Sequence, residues 1–291
     1  ACMRSWVQSL AGPLDGQAGA FDGRAMRGAL ARAFGRTALH QVHAWVGSQS
    51  LLLGRDAVPG APEEGRAIRS LLEALDLAGA IVTMDAGNAV QETVQAVLDA
   101  KADYVITLKA NRKKFHEAVR DFFSAAEATK FAGVAVRHQQ TREEGHGRYE
   151  LRDVWVVPAK VLGAMAEHWP GMQSLVMIRR TRVMADGSVG QWTHYYASSL
   201  APRVRQLAGV IREHWGVENG LHWSLDVQLR EDDCTIHNEN GASNLATLRR
   251  MALMLIRRDQ STKVGARGKQ KKAGWNHDYL AHLLTRGLPQ N

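Results

Sequence analysis

No apolar run in this 291-residue chain approaches the roughly 18 residues that a membrane-spanning helix requires. The opening A-C-M-R-S-W-V also lacks the basic and apolar regions of a signal peptide. These absences argue against a membrane partner and predict a cytosolic protein. Cysteine is almost missing: Cys2 and Cys234 stand alone and form no C-x-x-C pair, which excludes a disulfide framework and a cysteine zinc site. No internal repeat is visible. Position 1 is alanine rather than methionine, and the expectation is a fragment or processed chain with something missing upstream.

What remains is the composition of an ordinary globular protein, 45% hydrophobic and 23% charged, long enough for one large domain with an insertion or for two smaller ones. The 37 Lys and Arg outnumber the 29 Asp and Glu, giving a net charge of +8. Much of the excess lies in R-R-D-Q-S-T-K-V-G-A-R-G-K-Q-K-K, residues 257–272, with seven basic residues against one aspartate. Such a stretch suits a polyanion such as DNA, and equally a solvated, partly disordered linker.

Along the chain, G-A-F-D-G-R-A-M-R-G from Gly19 is a poor strand by propensity that meets a turn signal at Asp22-Gly23. Ala38–Val46 and Leu51–Arg55 then complete an antiparallel meander. The period changes at Glu63. Helices are expected at 63–77, 88–100 and 112–123, alternating with buried strands at Ala80–Asp85 and Asp103–Lys109, the pattern of parallel strands covered by helices. Residues 128–199 lose the helical period and read as a β-rich insertion, with strands at Leu151–Val157, Leu175–Arg180 and Gln191–Ala197. Helical character returns near Pro202 and runs to Glu218. A last helix, Gly241–Arg257, has Leu245, Leu248, Met251, Ala252 and Leu255 as its apolar face.

The stretch I-R-E-H-W-G-V-E-N-G-L-H-W-S-L-D-V, Ile211 to Val227, is the part that the rest of the chain has to explain. At 100° per residue Val204, Leu207, Ile211, Trp215 and Leu225 form one stripe with Glu218 in its middle. A carboxylate aimed at the core costs several kcal/mol unless it is paired, protonated or bound to a cation, so Glu218 needs a partner. His214, Glu218 and His222 also recur at i, i+4 and i+8, a spacing open to zinc, although Asn219-Gly220 threatens to break the helix first. The bland alternative is that Trp215, Trp223 and both histidines fill the core and Glu218 meets an arginine.

Two further acids end predicted strands. Asp85 closes a buried strand at the edge where open α/β sheets bind ligands, and Asp22 closes the first strand. Side by side they would need a cation between them, and Glu218 supplies a third oxygen donor; such a set favours Mg²⁺ or Mn²⁺ over zinc. Two ions a few Å apart suit phosphodiester displacement. The plainer readings are a turn aspartate at Asp22 and a helix cap at Asp85.

These segments resemble the DDE transposases of bacterial insertion sequences, in particular the H-repeat-associated group. The likeness rests on F-D-G-R-A-M-R-G (21–28), I-V-T-M-D-A (81–86), A-D-Y-V-I-T-L-K-A-N (102–111), E-G-H-G-R-Y-E-L-R (144–152), H-W-G-V-E-N-G-L-H-W-S-L-D-V-Q-L-R-E-D (214–232) and N-L-A-T-L-R-R-M-A-L (244–253), in that order. It implies an α/β fold: a ribonuclease-H-like mixed sheet flanked by helices and interrupted by a β-rich insertion. The implied layout is the end of a missing or truncated N-terminal region (1–19), the first part of the catalytic core (20–127), the insertion (128–199), the glutamate and C-terminal helices completing the core (200–256), and a basic tail (257–291). Asp22, Asp85 and Glu218 become the metal-binding catalytic triad for two Mg²⁺ or Mn²⁺ ions. The activity implied is metal-dependent cleavage of DNA at element ends and strand transfer to target DNA, by a cytoplasmic, nucleoid-associated protein that forms a homo-oligomer on DNA. The alternative is a truncated, inactive remnant that only binds DNA.

DNA contacts are expected from Lys109, Asn111, Arg112, Lys113 and Lys114 beyond the Asp103–Lys109 strand, from His146 and Arg148 in the insertion, from His214, and from Lys269, Lys271 and Lys272 in the tail. Trp155 and Trp192 suit either base stacking or core packing. The chain departs from the resembled pattern at Arg24, where lysine is usual, and at Ile211, His214 and Leu225, which replace the wider superfamily's Tyr, Arg and Lys.

Overall fold

A computed structural model describes residues 7, 10–25, 40–145, 148–236 and 238–286. Of Ala25, Arg148, Glu218, Asn219, Glu239 and Arg286 it describes the backbone only. The chain divides into two compact units, Ala1–Ala80 with Glu213–Asn291, and Ile81–Arg212. Among the described residues no helix is long and apolar enough to cross a membrane.

The first unit opens with three antiparallel strands, β1 (Ala18–Ala25), β2 (His40–Val46) and β3 (Leu51–Val58), in the order β3-β2-β1. Every residue of β2 is buried, and Leu51, Leu52 and Leu53 begin β3 inside the core. Helix α1 (Glu64–Ala74) packs on β2 and β3 through Ala67, Ile68, Leu71 and Leu72. Gly54 makes the approach close: a Cβ there would stand 3.0 Å from Leu71 Cδ2.

The second unit begins with β4 (Ile81–Met84), α2 (Gln91–Asp99), β5 (Asp103–Leu108) and α3 (Lys113–Ala128), with β4 and β5 parallel as expected. In chain order, three antiparallel strands and a helix precede the strand-helix-strand of this unit, a mixed α/β arrangement. Next come β6 (Arg137–Gly145), β7 (Arg148–Pro158), the single-turn α4 (Ala164–Glu167), β8 (Ser174–Met184) and β9 (Val189–Ser198). These strands extend the sheet in the order β4-β5-β9-β8-β7-β6, with β9 antiparallel to β5, so this mixed sheet carries helices and the β-rich segment together. Strand β6 was not expected. Its sequence R-H-Q-Q-T-R-E-E-G has no apolar alternation because it is an edge strand exposed along most of its length, and charge there discourages pairing with another chain.

Helix α5 (Val204–Val217) follows, and the boundary between the units falls inside it. Back in the first unit, α6 (Glu239–Arg258) is capped by Asn238, whose side chain accepts from the Gly241 amide. Its buried face is Ala242, Ala246, Arg250, Leu253, Met254 and Ile256. The face expected from the sequence is rotated away, and Leu248 is 61% exposed.

The basic stretch after residue 257 is helical, α7 (Ala266–Trp275) and α8 (His277–Arg286). A small core of Ile256, Tyr279 and Leu283 with Ala266 and Ala273 holds the two together. Asp259 ties it further, accepting from Tyr279 OH at 2.7 Å and from the Ser261 amide at 3.0 Å. Although burial opposes it, these donors and the nearby Lys269 hold the Asp259 carboxyl well below the usual range.

Candidate active site

Asp22 does not end a strand. Strand β1 runs through Asp22-Gly23 to Ala25, with Asp22 paired opposite His43 of β2. Gly23 serves a close approach rather than a turn: a Cβ there would collide with the Glu64 carboxylate and His40 Nε2, which lie 2.9 Å from one another. Asp22 thus projects from a ladder, not from a loop, and its Oδ2 lies 3.6 Å from His222 Nδ1.

Asp85 immediately follows β4 in extended conformation, and its carboxylate makes no capping bond to the turn Ala86–Asn88. The cap reading therefore fails. Parallel pairing of β4 with β5 brings Lys109 alongside, and each Asp85 oxygen lies 2.8 Å from Lys109 Nζ. Asn111 donates its side-chain amide to Ala86 O at 2.7 Å, fastening the loop after β5 to the loop after β4. Arg112 and Lys113 are exposed at the start of α3.

Glu218 opens a segment where the expected break at Asn219-Gly220 does not occur. The backbone instead widens into two π-helical stretches, Glu218–His222 and Ser224–Gln228. Each wider turn adds a residue, so the buried line runs Val217, Leu221, Leu225 at every fourth position and the 100° template loses phase. Trp215 and Trp223 are exposed rather than core-filling. The Glu218 side chain lies outside the described residues, as does His146, and Arg148 is described only as the first backbone position of β7. Among the described residues no group of three His, Cys, Asp or Glu is disposed to hold a metal, so no zinc cluster assembles from them.

The buried carboxylate with an arginine partner turns out to be Glu231. Arg250 NH1 and NH2 donate to its two oxygens at 2.6 and 3.1 Å, both side chains are 0% exposed, and Arg250 Nε donates to His43 Nε2 at 2.8 Å. Arg24 joins from β1, pairing with Asp226 and, at 2.9 Å, with Asp232. Sequence reading missed this network because arginine and glutamate score as surface residues. The available signal was the absence of a clean apolar stripe around Arg250.

Burial, with Arg24 and Arg250 nearby, pushes His222 down to about 4, and burial lowers His43 well below its ordinary value, with Arg250 adding to the effect. Asp22, too far from His222 for a hydrogen bond, does not offset this. Both rings are therefore neutral when folded, whereas an unfolded histidine takes up a proton near pH 6.5. Their contribution to stability is complete above that pH and is lost as pH falls below it, for His222 down to about 4, at about 1.4 kcal/mol per pH unit per histidine. Urea unfolding at pH 7 and pH 5 is expected to show this loss, and His222→Gln to reduce the slope. An unchanged slope would refute the assignment to His222.

The tail residues divide. Lys271 is exposed and Lys272 lies 4.3 Å over the Tyr279 ring. Lys269, expected to meet DNA, is corrected: only 8% exposed, it donates inward to the carbonyls of Ile256 and Asp259, which the end of α6 leaves without helical partners. His214 sits in the last turn of α5, half-buried. In the insertion Trp155 stacks on His138 with Arg179 over its ring, and Trp192 lies under Arg180 and Arg182, 42% exposed.

Asp22, on β1, and Asp85, just after β4, each present a carboxylate, with side chains 25% and 45% exposed, and carboxylate oxygens are the donors that a hard divalent cation takes.

Comparison with known proteins identifies the family. The Transposase DDE domain family matches residues 15–255. YncI of Escherichia coli O157:H7, named as a transposase candidate, is 30% identical over 285 residues, covering 96% of this chain and 72% of its own. YhhI of Escherichia coli K12, named as an H repeat-associated transposase candidate, is 30% identical over 291 residues, covering 98% and 75%. Among solved structures, a piggyBac transposase synaptic complex with hairpin DNA aligns over 98% of this chain and 60% of that one, at 10% identity and a TM-score of 0.48. With a domain match over most of its length and relatives aligned over nearly all of it, this chain belongs to the DDE transposase family, alongside the H repeat-associated proteins.

Proposed function

We propose that the protein cuts DNA at the ends of a mobile element and joins them to target DNA, using two Mg²⁺ or Mn²⁺ ions held by Asp22, Asp85 and Glu218. The observation that carries this reading is the Asp85 carboxylate: it follows a buried parallel strand, takes no part in capping, and pairs with the exposed Lys109. When bound, such ions lower the pKa of an attacking water or 3′-hydroxyl and stabilise charge on the leaving oxygen.

The chain's own groups do the rest. The β1–β2 ladder holds Asp22, the end of β4 holds Asp85, and the π-helical stretch carries position 218. Lys109, Arg112 and Lys113 stand at the strand end to meet phosphates, while Asn111 keeps their loop in place. His146, Arg148, His214, Lys271 and Lys272 are further DNA contacts in this reading; Lys269 is not. Residues 128–199 form the insertion and the assembly on DNA is a homo-oligomer.

The test is Mg²⁺-dependent nicking of duplex DNA carrying the element's own ends. Cleavage that Asp85→Asn removes supports the enzyme. Salt-dependent DNA binding with no nicking in any divalent metal would instead make the chain an inactive, DNA-binding remnant.

A further inference from the structure

We propose that Arg24 is a positioning residue for the metal site, an ionic brace that fixes the strand bearing Asp22 against the π-helical segment bearing Glu218. This inference rests on the function proposed above. Arg24 lies two residues beyond Asp22 in β1, hence on the same face of the strand. Its guanidinium reaches the segment after residue 218 at four points: Asp226, Asp232 Oδ1 at 2.9 Å, Glu231 Oε2 at 3.6 Å and the carbonyl of His222 at 3.5 Å.

The strand beside Asp22 is tied to the same place. His43, opposite Asp22 on β2, accepts from Arg250, which clamps Glu231 through two hydrogen bonds. Glu231 is thus held from β1 by Arg24 and from β2 through Arg250 and His43. Two guanidiniums face three carboxylates: Arg250 and Glu231 are 0% exposed and the Arg24 side chain 12%, so water screens their contacts little, while Asp226 and Asp232, at 32%, form the partly exposed edge of the cluster. The planar fork of arginine suits several acceptors, whereas lysine would offer a single point charge. The brace sets the separation of Asp22 from the backbone at position 218 before any cation arrives.

The experiment is a Mn²⁺ titration of the purified protein, free ion followed by electron paramagnetic resonance, at a temperature where every variant is folded by circular dichroism. Arg24→Met is expected to weaken Mn²⁺ binding about 10–100-fold, the usual cost of removing a group that orients metal ligands. Arg24→Lys should fall between Arg24→Met and wild type, and Asp22→Asn should lose the site. In nicking assays Arg24→Met should lower kcat and leave KM for DNA unchanged. Should Arg24→Met fail to fold, Asp226→Asn, which removes one partly exposed partner, is expected to weaken Mn²⁺ binding in the same direction.

Wild-type Mn²⁺ affinity in Arg24→Met, or in Asp226→Asn where that variant stands in, with Asp22→Asn defective, would overturn the brace and leave the metal site standing. No Mn²⁺ binding by the wild type, or undiminished binding by Asp22→Asn, would overturn the metal site and the brace with it.

Discussion

Arg250→Met is expected to lower the unfolding free energy by about 3–5 kcal/mol in urea denaturation, because it leaves the Glu231 carboxylate buried without its counter-charge. The variant also removes the donor that His43 Nε2 accepts from. Arg24, 3.6 Å away and already engaged with Asp226 and Asp232, cannot replace a bidentate partner. Removing both charges together, Arg250→Met with Glu231→Leu, should recover most of the loss, since a buried pair exchanged for apolar side chains of similar volume is often neutral. A single variant within about 1 kcal/mol of wild type would show that the pair is solvated in solution.

Asp85→Asn and Glu218→Gln are each expected to reduce Mg²⁺-dependent nicking by about 10³-fold or more. In the proposed mechanism several kcal/mol of transition-state charge stabilisation would depend on ions held by these carboxylates, and each 1.4 kcal/mol is tenfold in rate. Lys109 does not stand in the way. Its pair with Asp85 has side chains 51% and 45% exposed, and such a pair is worth at most about 1 kcal/mol, which a divalent ion readily displaces. Lys109→Met should therefore act on DNA rather than on metal, weakening binding across all sequences and reducing the salt slope by about one. Nicking by Asp85→Asn at the wild-type rate would remove Asp85 from the site.

Several elements were legible because their patterns are clean, although the exposed edge strand β6 was not. Ile81–Met84 and Tyr104–Leu108 are short, β-branched-rich runs buried at every position, and α1 repeats its buried residues at helical spacing. Three features were not legible, each for a physical reason. The π-helical stretches have no period in common use, so Asn219-Gly220 looked like an end when the widened backbone carries the chain on. Arg250 occupies a core position on α6 because Glu231 is buried opposite it, and a hydropathy pattern cannot show that two polar residues nineteen apart cancel one another. Lys269 looked like one more basic residue of a tail, whereas its ammonium satisfies carbonyls at the end of α6.

The proposed acids were singled out by residue type and position. Asp85 stands where its strand was expected to end; Asp22 lies within its strand, because Gly23 serves the packing of His40 and Glu64 instead of a turn. Arg24 drew notice only as a departure from the usual lysine, and its two terminal nitrogens, one on Asp226 and Asp232 and the other toward Glu231, give that departure a structural use.

The central claim is that Asp22, Asp85 and Glu218 hold divalent cations together, and anomalous scattering from Mn²⁺ in crystals of the protein bound to its DNA tests it most directly. The account predicts two peaks a few Å apart, bounded by these three carboxylates. Peaks coordinated by other residues, or a fully occupied site from which any of the three faces away, would contradict it.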